Sequence, residues 1–488
     1  MLLSKLKFYK MKRTQIFKIG LLSSLLAFGA CGEDFLIEEP VLEQTNELTL
    51  SNYVGLNDAT AGAYTTIYSV NWYGRYLPIF GDMRGGNAKL SPKSSGRFTN
   101  EFYWNHTQAS TSPLWGSAYY AISKANNVIN ALPLIEDPLI TQQQLDNLEA
   151  ECLFIRAISH FDLVRTYAQP YSYQPESLGV PIVLLTENGN PARNTVGEVY
   201  AQVLDDLKRA ELIIDPDYVR EGGKDPKAFV TLQAIQALLA RVYLYMEDWQ
   251  NAANYATTLI ESGDYNMYTA AEYTTWDADG VWGAINFSTS GEVIFGVYGS
   301  ENNSSHGNWD NITYILSPEG YGDVGASDDL LDLFEAGDVR RNLYRTHPDY
   351  GDAEWPLKYP GKVGNLREDN IPVLRLSEMY LIRAEALLKG ATIPGATAVK
   401  DVNMIRTNRG LVDLASVSFV DIWTERRREL CFEGHEYFDL ARTQRGLTRT
   451  DYPSGAINKD VNFPDNKWAM PIPQGEMDAN PNMVQNPL

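Results

Sequence analysis

Three segments of the chain carry side chains that could do chemistry. The densest is Thr424 to Arg442, TERRRELCFEGHEYFDLAR, where Glu425 with Glu429, and Arg428 with Glu433, fall within helical pairing distance. Two such carboxylates could act as acid and base on a glycosidic bond, a reaction that needs them about 5–10 Å apart across a sugar. Opposed charges one helical turn apart are also a common local brace, and this reading is favoured: Arg–Glu pairs hold a helix end, and Gly434 turns the chain into the next helix. The second segment ends at Cys31. An apolar run, Ile19 to Ala30, follows Lys12, Arg13 and Lys18, the order of a secretory signal. It is too short to span a bilayer, which takes ~20 residues. The pair Gly29-Ala30 directly before a cysteine looks like a lipobox, so Cys31 is expected to be acylated after removal of residues 1–30, with Met11 the better start. The third is a set of aromatic residues in polar surroundings. The chain has 29 Tyr and 10 Trp, many in stretches rich in Asn, Gly and Ser, where flat rings can cover the apolar faces of sugars.

Bulk properties narrow the classes. The formal charge of −21 disfavours nucleic acid and other polyanions, which an acidic surface repels. Hydrophobic residues make up 44% and charged residues 21%, the balance of a folded globular chain. There is no CxxC, HExxH, Walker or GxGxxG pattern, and the five histidines lack ligand spacing. No metal and no cofactor are expected, and His160 and His435 read as hydrogen-bonded structural residues. Cys152 and Cys431 sit in helical patterns, where buried free thiols are favoured over a bridge.

The elements that must position these groups are mostly helical. Residues 31–50 form an acidic tether without periodicity. Ser51 to Tyr68 reads as an amphipathic helix capped by Ser51, with Tyr53, Leu56, Ala63 and Ile67 buried. Asn71 to Thr111 breaks the pattern with Gly81, Gly85, Gly86, Pro92 and Gly96, a long irregular stretch. Helices resume over 115–132, 142–168 and 195–214, the last opened by a Thr195/Glu198 capping box. Thr231 to Ser262 and Arg375 to Arg409 each read as an antiparallel helix pair of tetratricopeptide type, which buries its faces only by stacking. Between the pairs, residues 268–370 show few helical signals, with one strand-like run at Val293 to Tyr298 and a short helix at Asp328 to Ala336. This insertion holds Trp276, Trp282, Trp309, Tyr314, Tyr321 and Trp355, and loops on a scaffold commonly carry function.

Four motifs in order resemble the SusD/RagB family of surface glycan-binding lipoproteins: Glu151-Cys152-Leu153-Phe154-Ile155-Arg156-Ala157; Asn370-Ile371-Pro372-Val373-Leu374-Arg375-Leu376-Ser377-Glu378; Glu425 to Arg442; and Pro471-Ile472-Pro473-Gln474 with Asn480-Pro481-Asn482. The resemblance covers the chain from Cys31 onward, although Glu436 stands where the family commonly has a basic residue. It implies a mainly α fold, with tetratricopeptide-like helix pairs forming a curved scaffold and the irregular insertion carrying the ligand face, all in one binding domain over 51–488. It also implies a non-enzymatic role at the outer membrane, facing the exterior on the Cys31 lipid. There the protein would capture neutral oligosaccharide or polysaccharide for a SusC-like TonB-dependent transporter. The alternatives are a peptide-capturing member of the same family and a surface glycoside hydrolase on a helical scaffold. By position, Trp309 and Tyr321 resemble the family's sugar-stacking aromatics. Asp82, Arg84 and Asn87, in the Gly-rich loop after the first helix, resemble its polar ligand contacts. Trp72, Tyr73 and Trp282 stand in reserve.

Overall fold

The computed structural model describes residues 49–187, 189–220, 225–273, 282, 287, 291–300, 302 and 308–487. The expected signal segment 1–30, Cys31, Trp276 and residues 31–48 of the tether lie outside the described residues.

The fold is mainly α. Its N-terminal part contains α1 (Tyr53–Ile67), α2 (Tyr76–Gly85), α3 (Leu114–Ala131), α4 (Gln142–Tyr167), α5 (Val196–Ile213), α6 (Leu232–Tyr245) and α7 (Trp249–Glu261). Its C-terminal part contains α8 (Leu376–Leu388), α9 (Ala398–Asn408), α10 (Phe419–Leu430) and α11 (Glu436–Arg442). With α2 set aside, each helix up to α9 lies against the next: α1 on α3, α3 on α4, and so on to α8 on α9. Both expected helix pairs are present, and they belong to one continuous stack. Small residues let the helices approach: Ala252, Ala253 and Ala256 of α7 and Ala384 and Ala386 of α8 are fully buried.

Local signals explain the helix starts. Thr195 N donates to Glu198 Oε2 at 2.8 Å, and Glu198 N donates to Thr195 Oγ1 at 3.2 Å, so this capping box forms as read. At α1 the cap is Asn52 instead of Ser51, its side chain accepting from Gly55 N at 3.0 Å. Along α4, every residue from Ala150 to Tyr167 is buried, so its charges must be paired. Arg156 makes two bonds to Asp206 of α5 at 2.7 and 2.8 Å. Glu151 accepts from Arg220 at 2.7 Å and from the Tyr64 hydroxyl of α1 at 2.5 Å. Farther along the stack, Arg241 of α6 grips Glu378 of α8 and Arg383 of α8 grips Asp401 of α9.

The stretch expected to be irregular, Asn71 to Thr111, contains α2. Pro78, Gly81 and Gly85 weaken the helical pattern in the sequence, yet all ten residues of α2 are buried. Gly81 is required there: a Cβ on it would lie 2.4 Å from the Gly434 carbonyl carbon, so the two backbones touch.

The insertion is short on regular structure. Strands β1 (Ala88–Leu90), β2 (Val293–Val297), β3 (Val324–Ala326), β4 (Tyr344–Thr346), β5 (Glu354–Pro356) and β6 (Ile371–Arg375) pair two by two. All three pairs are antiparallel: β1 with β3, β2 with β6, and β4 with β5. In the second pair Val297 faces Ile371, so the loop between them leaves and returns at one place. The expected helix at 328–336 covers only Asp328–Leu331, capped by Ser327.

Candidate functional site

Three rings stand in a row on the insertion. Trp309 belongs to a 3-10 turn, Asn308–Asp310, and Tyr314 to the short helix Ile312–Leu316, which Asn311 caps by accepting from Tyr314 N at 2.9 Å. Tyr321 N then donates to the Tyr314 carbonyl at 2.7 Å, which folds the chain back so that the third ring meets the second. The glycines flanking Tyr321 make that turn possible. A Cβ on Gly320 would lie 2.5 Å from the Tyr314 carbonyl oxygen, and Gly322 has φ +59°. Trp309 and Tyr314 meet edge to face with centroids 5.2 Å apart, and Tyr314 and Tyr321 do so at 5.4 Å. Trp309 is 55% exposed and Tyr321 37%, unusual for such large rings.

The loop under the rings is tightly braced. Lys93 Nζ donates to the Pro318 and Gly320 carbonyls at 2.7 Å each, and Trp355 Nε1 donates to the Gly322 carbonyl at 2.9 Å. Cations flank the row: the Arg97 guanidinium lies 4.1 Å from the Tyr321 centroid and Arg367 lies 5.3 Å from that of Trp309. Arg97 also reaches Asp323 at 3.2 Å and Asp310 at 3.7 Å, while Arg75 pairs with Asp310 from the other side. Such a row offers flat apolar surface edged by hydrogen-bonding groups. Tyr314, Arg97 and Arg367 were not singled out in the sequence as ligand contacts, because their approach to Trp309 and Tyr321 depends on the Asn311 cap and the Gly320–Gly322 turn.

The expected polar partners are placed differently. Asp82 and Arg84 are in α2, and Asn87 follows it; all three are buried. Asp82 accepts from Asn87 Nδ2 at 2.7 Å and from Gly434 N at 2.9 Å. Asn87 Oδ1 accepts from Arg427 Nε at 2.5 Å. Burial pushes the Asp82 carboxyl up to about 6, against the pull of its Asn87 and Gly434 bonds. Asp82 and Asn87 therefore fasten α2 to α10 and to the turn after it, and Arg84 lines a separate cavity that none of the three rings borders. A helix buried on all sides, in place of a Gly-rich loop, is what turns these residues inward. Trp72, Tyr73 and Trp282 are buried as well.

The carboxylates of the Glu425–Arg442 motif lie inside a network of arginines. Glu429 accepts from Arg375 NH1 at 2.6 Å, from Arg409 at 2.8 and 3.0 Å, and from Arg340 NH1 at 3.0 Å. Burial alone would raise its pKa; Arg409, Arg375 and Arg340 outweigh that and hold it well below the carboxylate range. Glu433 takes Arg375 and Lys358, Glu292 takes Arg375 and Arg409, and Glu425 takes Arg340. Of the expected local bracing, Arg428–Glu425 at 3.6 Å and Arg442–Asp439 at 2.7 Å are pairs three residues apart. The Glu429, Glu433 and Arg340–Glu425 pairs are tertiary, joining α10 and the turn after it to the insertion, β6 and α9, while Arg426–Asp439 ties α10 to α11. Gly434 does turn the chain, with φ +82°. Cys152 and Cys431 are free and buried. His160 is hydrogen-bonded to Arg156 O at 3.1 Å and Val183 N at 3.3 Å. Among the described residues no group of His, Cys, Asp and Glu is arranged to hold a metal ion.

With this geometry in view, known proteins give a consistent likeness. Residues 358–488 match a family model described as "SusD family", and residues 34–244 match one described as "Starch-binding associating with outer membrane". A SusD-like protein of Bacteroides ovatus is 24% identical over 511 aligned positions, covering 91% of this chain and 84% of that protein. A solved SusD superfamily structure from Bacteroides thetaiotaomicron superposes with TM-score 0.80 at 28% identity, covering 90% of this chain and 100% of its own. Another, from Bacteroides vulgatus, gives TM-score 0.78 at 28% identity, with 90% and 99% covered. The chain belongs to the SusD/RagB family.

Proposed function

We propose that this protein is a cell-surface binding lipoprotein, anchored at the outer membrane through Cys31 and facing the exterior. Its single binding domain over 51–488 captures neutral oligosaccharide and delivers it to a SusC-like TonB-dependent transporter. The observation that carries this reading is the row Trp309–Tyr314–Tyr321 on a braced loop, exposed at Trp309 and Tyr321 and half-buried at Tyr314 between them. Rings stacked edge to face present successive apolar steps, and a pyranose has an apolar face for each. Arg97 and Asp310, at the margin of the row, supply a donor and an acceptor for paired hydroxyls. Capture for transport asks for binding and release without bond making, which suits a chain in which Glu425 and Glu429 are buried and committed to arginines.

Trp309→Ala and Tyr321→Ala, made separately, test the site. Both positions are exposed enough for thermal melting to stay unchanged. Calorimetric titration against a panel of neutral oligosaccharides, maltoheptaose among them, should show a loss of ~2 kcal/mol for a ring that stacks on the sugar, about thirtyfold in affinity. Parent-like binding by both variants would move the site elsewhere. The same panel incubated with the protein should yield no new reducing ends, and a peptide library in parallel would expose the peptide-capturing alternative. The anchor is read by labelling cells with an alkynyl fatty acid. Cys31→Ala should abolish label and membrane retention, and a variant still held at the outer membrane would refute the anchor. Affinity purification in mild detergent should bring down a β-barrel transporter.

A further inference from the structure

A cavity of about 380 Å³ opens beside α2, and Arg84, Trp104, His106, Ile457, Met470 and Pro471 are among the residues that line it. Its volume lies within the ~300–1,000 Å³ of small-molecule sites. Arg84 is the unusual member. It is buried, and among the described residues no carboxylate forms an ion pair with it. NH2 donates to the Lys467 carbonyl at 2.5 Å, NH1 meets His106 Nδ1 at 3.2 Å, and Nε has no partner. The nearby Glu101 is engaged elsewhere, with the Tyr76 hydroxyl at 2.8 Å and His106 Nε2 at 3.3 Å. The guanidinium rests 3.7 Å from the Trp104 centroid.

Other fully buried arginines are treated differently. Arg241, Arg340, Arg409 and Arg426 all grip carboxylates. The exception besides Arg84 is Arg449, which donates to the Phe102, Asn458 and Lys459 carbonyls, and Asn458 lines this same cavity. One guanidinium without a counter-ion thus lines this opening in a chain of net charge −21, and a second, Arg449, is bonded to Asn458 of its wall. A buried cation without an anion is costly, and the Trp104, Tyr437 and Phe80 rings around Arg84 recover only part of that cost. Burial holds the Arg84 and Arg449 pKa values below their ordinary range, whereas carboxylates lift those of Arg241 and Arg409 against the same effect. The Lys467, His106 and Tyr437 contacts leave Arg84 with N–H donors to spare.

We propose that this cavity binds a small organic acid, its carboxylate on Arg84 and its apolar body between Trp104, Ile457, Met470 and Pro471. The site is separate from the ring surface, so Trp309→Ala should leave it unaffected and the failure of either reading is recognisable. The test uses the whole mature chain, with benzoate, phenylacetate and hexanoate as probes and benzamide as the uncharged match. Calorimetry or ligand-observed NMR should show the acids binding at least about tenfold more tightly than benzamide, as a charge-assisted bond requires. Ile457 is 60% exposed at the cavity wall, so Ile457→Glu is expected to fold. It should weaken the acids roughly tenfold by like-charge repulsion while benzamide is unchanged, and Ile457→Gln should behave as the parent. Equal binding of acid and amide would reduce the cavity to an apolar slot and overturn the proposal. So would an absence of binding by every acid at millimolar concentration, or acid affinities indifferent to Ile457→Glu.

Discussion

Replacing Glu429 with Gln removes one negative charge from the centre of the arginine network and keeps the side-chain volume. Three arginines lose a charged acceptor, and the new amide turns an N–H toward guanidinium groups that are themselves donors. Removing one partner from a fully buried pair costs ~3–5 kcal/mol, because the other charge stays buried. The unfolding entropy is ~2.1 cal/mol/K per residue; over the roughly 440 residues of the unit Leu50–Leu488 that is about 0.9 kcal/mol/K. The melting temperature should therefore fall by ~3–5 °C at pH 7, read by calorimetry. The pH dependence supplies a second check. The Glu429 pKa is depressed in the folded state, so its contribution is complete above the unfolded value of ~4.3 and is lost as pH falls through the folded value. The gap between parent and variant should hold from pH 5 to 8 and narrow only on stronger acidification. The exposed pair Arg209–Glu149, at 3.2 Å, is the control: Glu149→Gln should cost under ~1 kcal/mol. A Glu429→Gln protein melting within 1 °C of the parent at pH 7, a bound set by the ~3 °C expected above, would refute the assignment of the network as a principal tie.

Other outcomes follow from the same physics. Burial raises the Glu436 carboxyl to about 8, with Asp439 and Asp82 adding to the rise and Arg427 opposing it. Stability from a raised group is complete below its unfolded pKa and lost as pH climbs to the folded one, by at most ~1.4 kcal/mol per pH unit. Glu436→Gln should thus melt higher than the parent at pH 7–8 and equally near pH 4, and no gain at pH 8 would contradict the raised pKa. Cys152, its thiol pushed up to about 12 by burial, should resist alkylation in the native protein and react once unfolded; rapid native labelling would show that the α1–α4 contact opens.

The scaffold was legible because its information is local. Repeats of Ala and Leu at helical spacing placed α3 through α9 to within a residue or two, and the Thr195/Glu198 pair marked a start that the geometry repeats. Two things were hidden. The first is α2, whose Pro78, Gly81 and Gly85 look like loop residues until Gly434 arrives from far along the chain to require a glycine. That long-range contact is also why Asp82, Arg84 and Asn87, expected as polar ligand contacts in a Gly-rich loop, are buried. The second is the reach of the charged motif. Glu429 reads as one member of a helical brace, but its partners Arg340, Arg375 and Arg409 come from three other segments. Trp309 and Tyr321 were readable as rings in a polar loop; that Tyr314 joins them edge to face depended on an Asn311 cap and a chain reversal.

The pairing of β2 with β6 makes the insertion a cassette. Chain leaving the stack at Val297 re-enters beside it at Ile371, so the helices on either side keep their relative phase whatever the loop contains. Lengthening such a closed excursion is cheap, at ~0.6 kcal/mol for each doubling. Ties to the rest of the molecule include β3, held by β1, and the residues Arg340 and Lys358, held by the carboxylates of α10 and the turn beyond it. The turn that bears Trp309, Tyr314 and Tyr321 is fastened separately, by Lys93 on the Pro318 and Gly320 carbonyls, by Arg75 on Asp310 and by Ile312 N on the Gly74 carbonyl. A protein built this way can exchange the exposed rings that meet its ligand by point change, while the braces beneath them hold the turn in place.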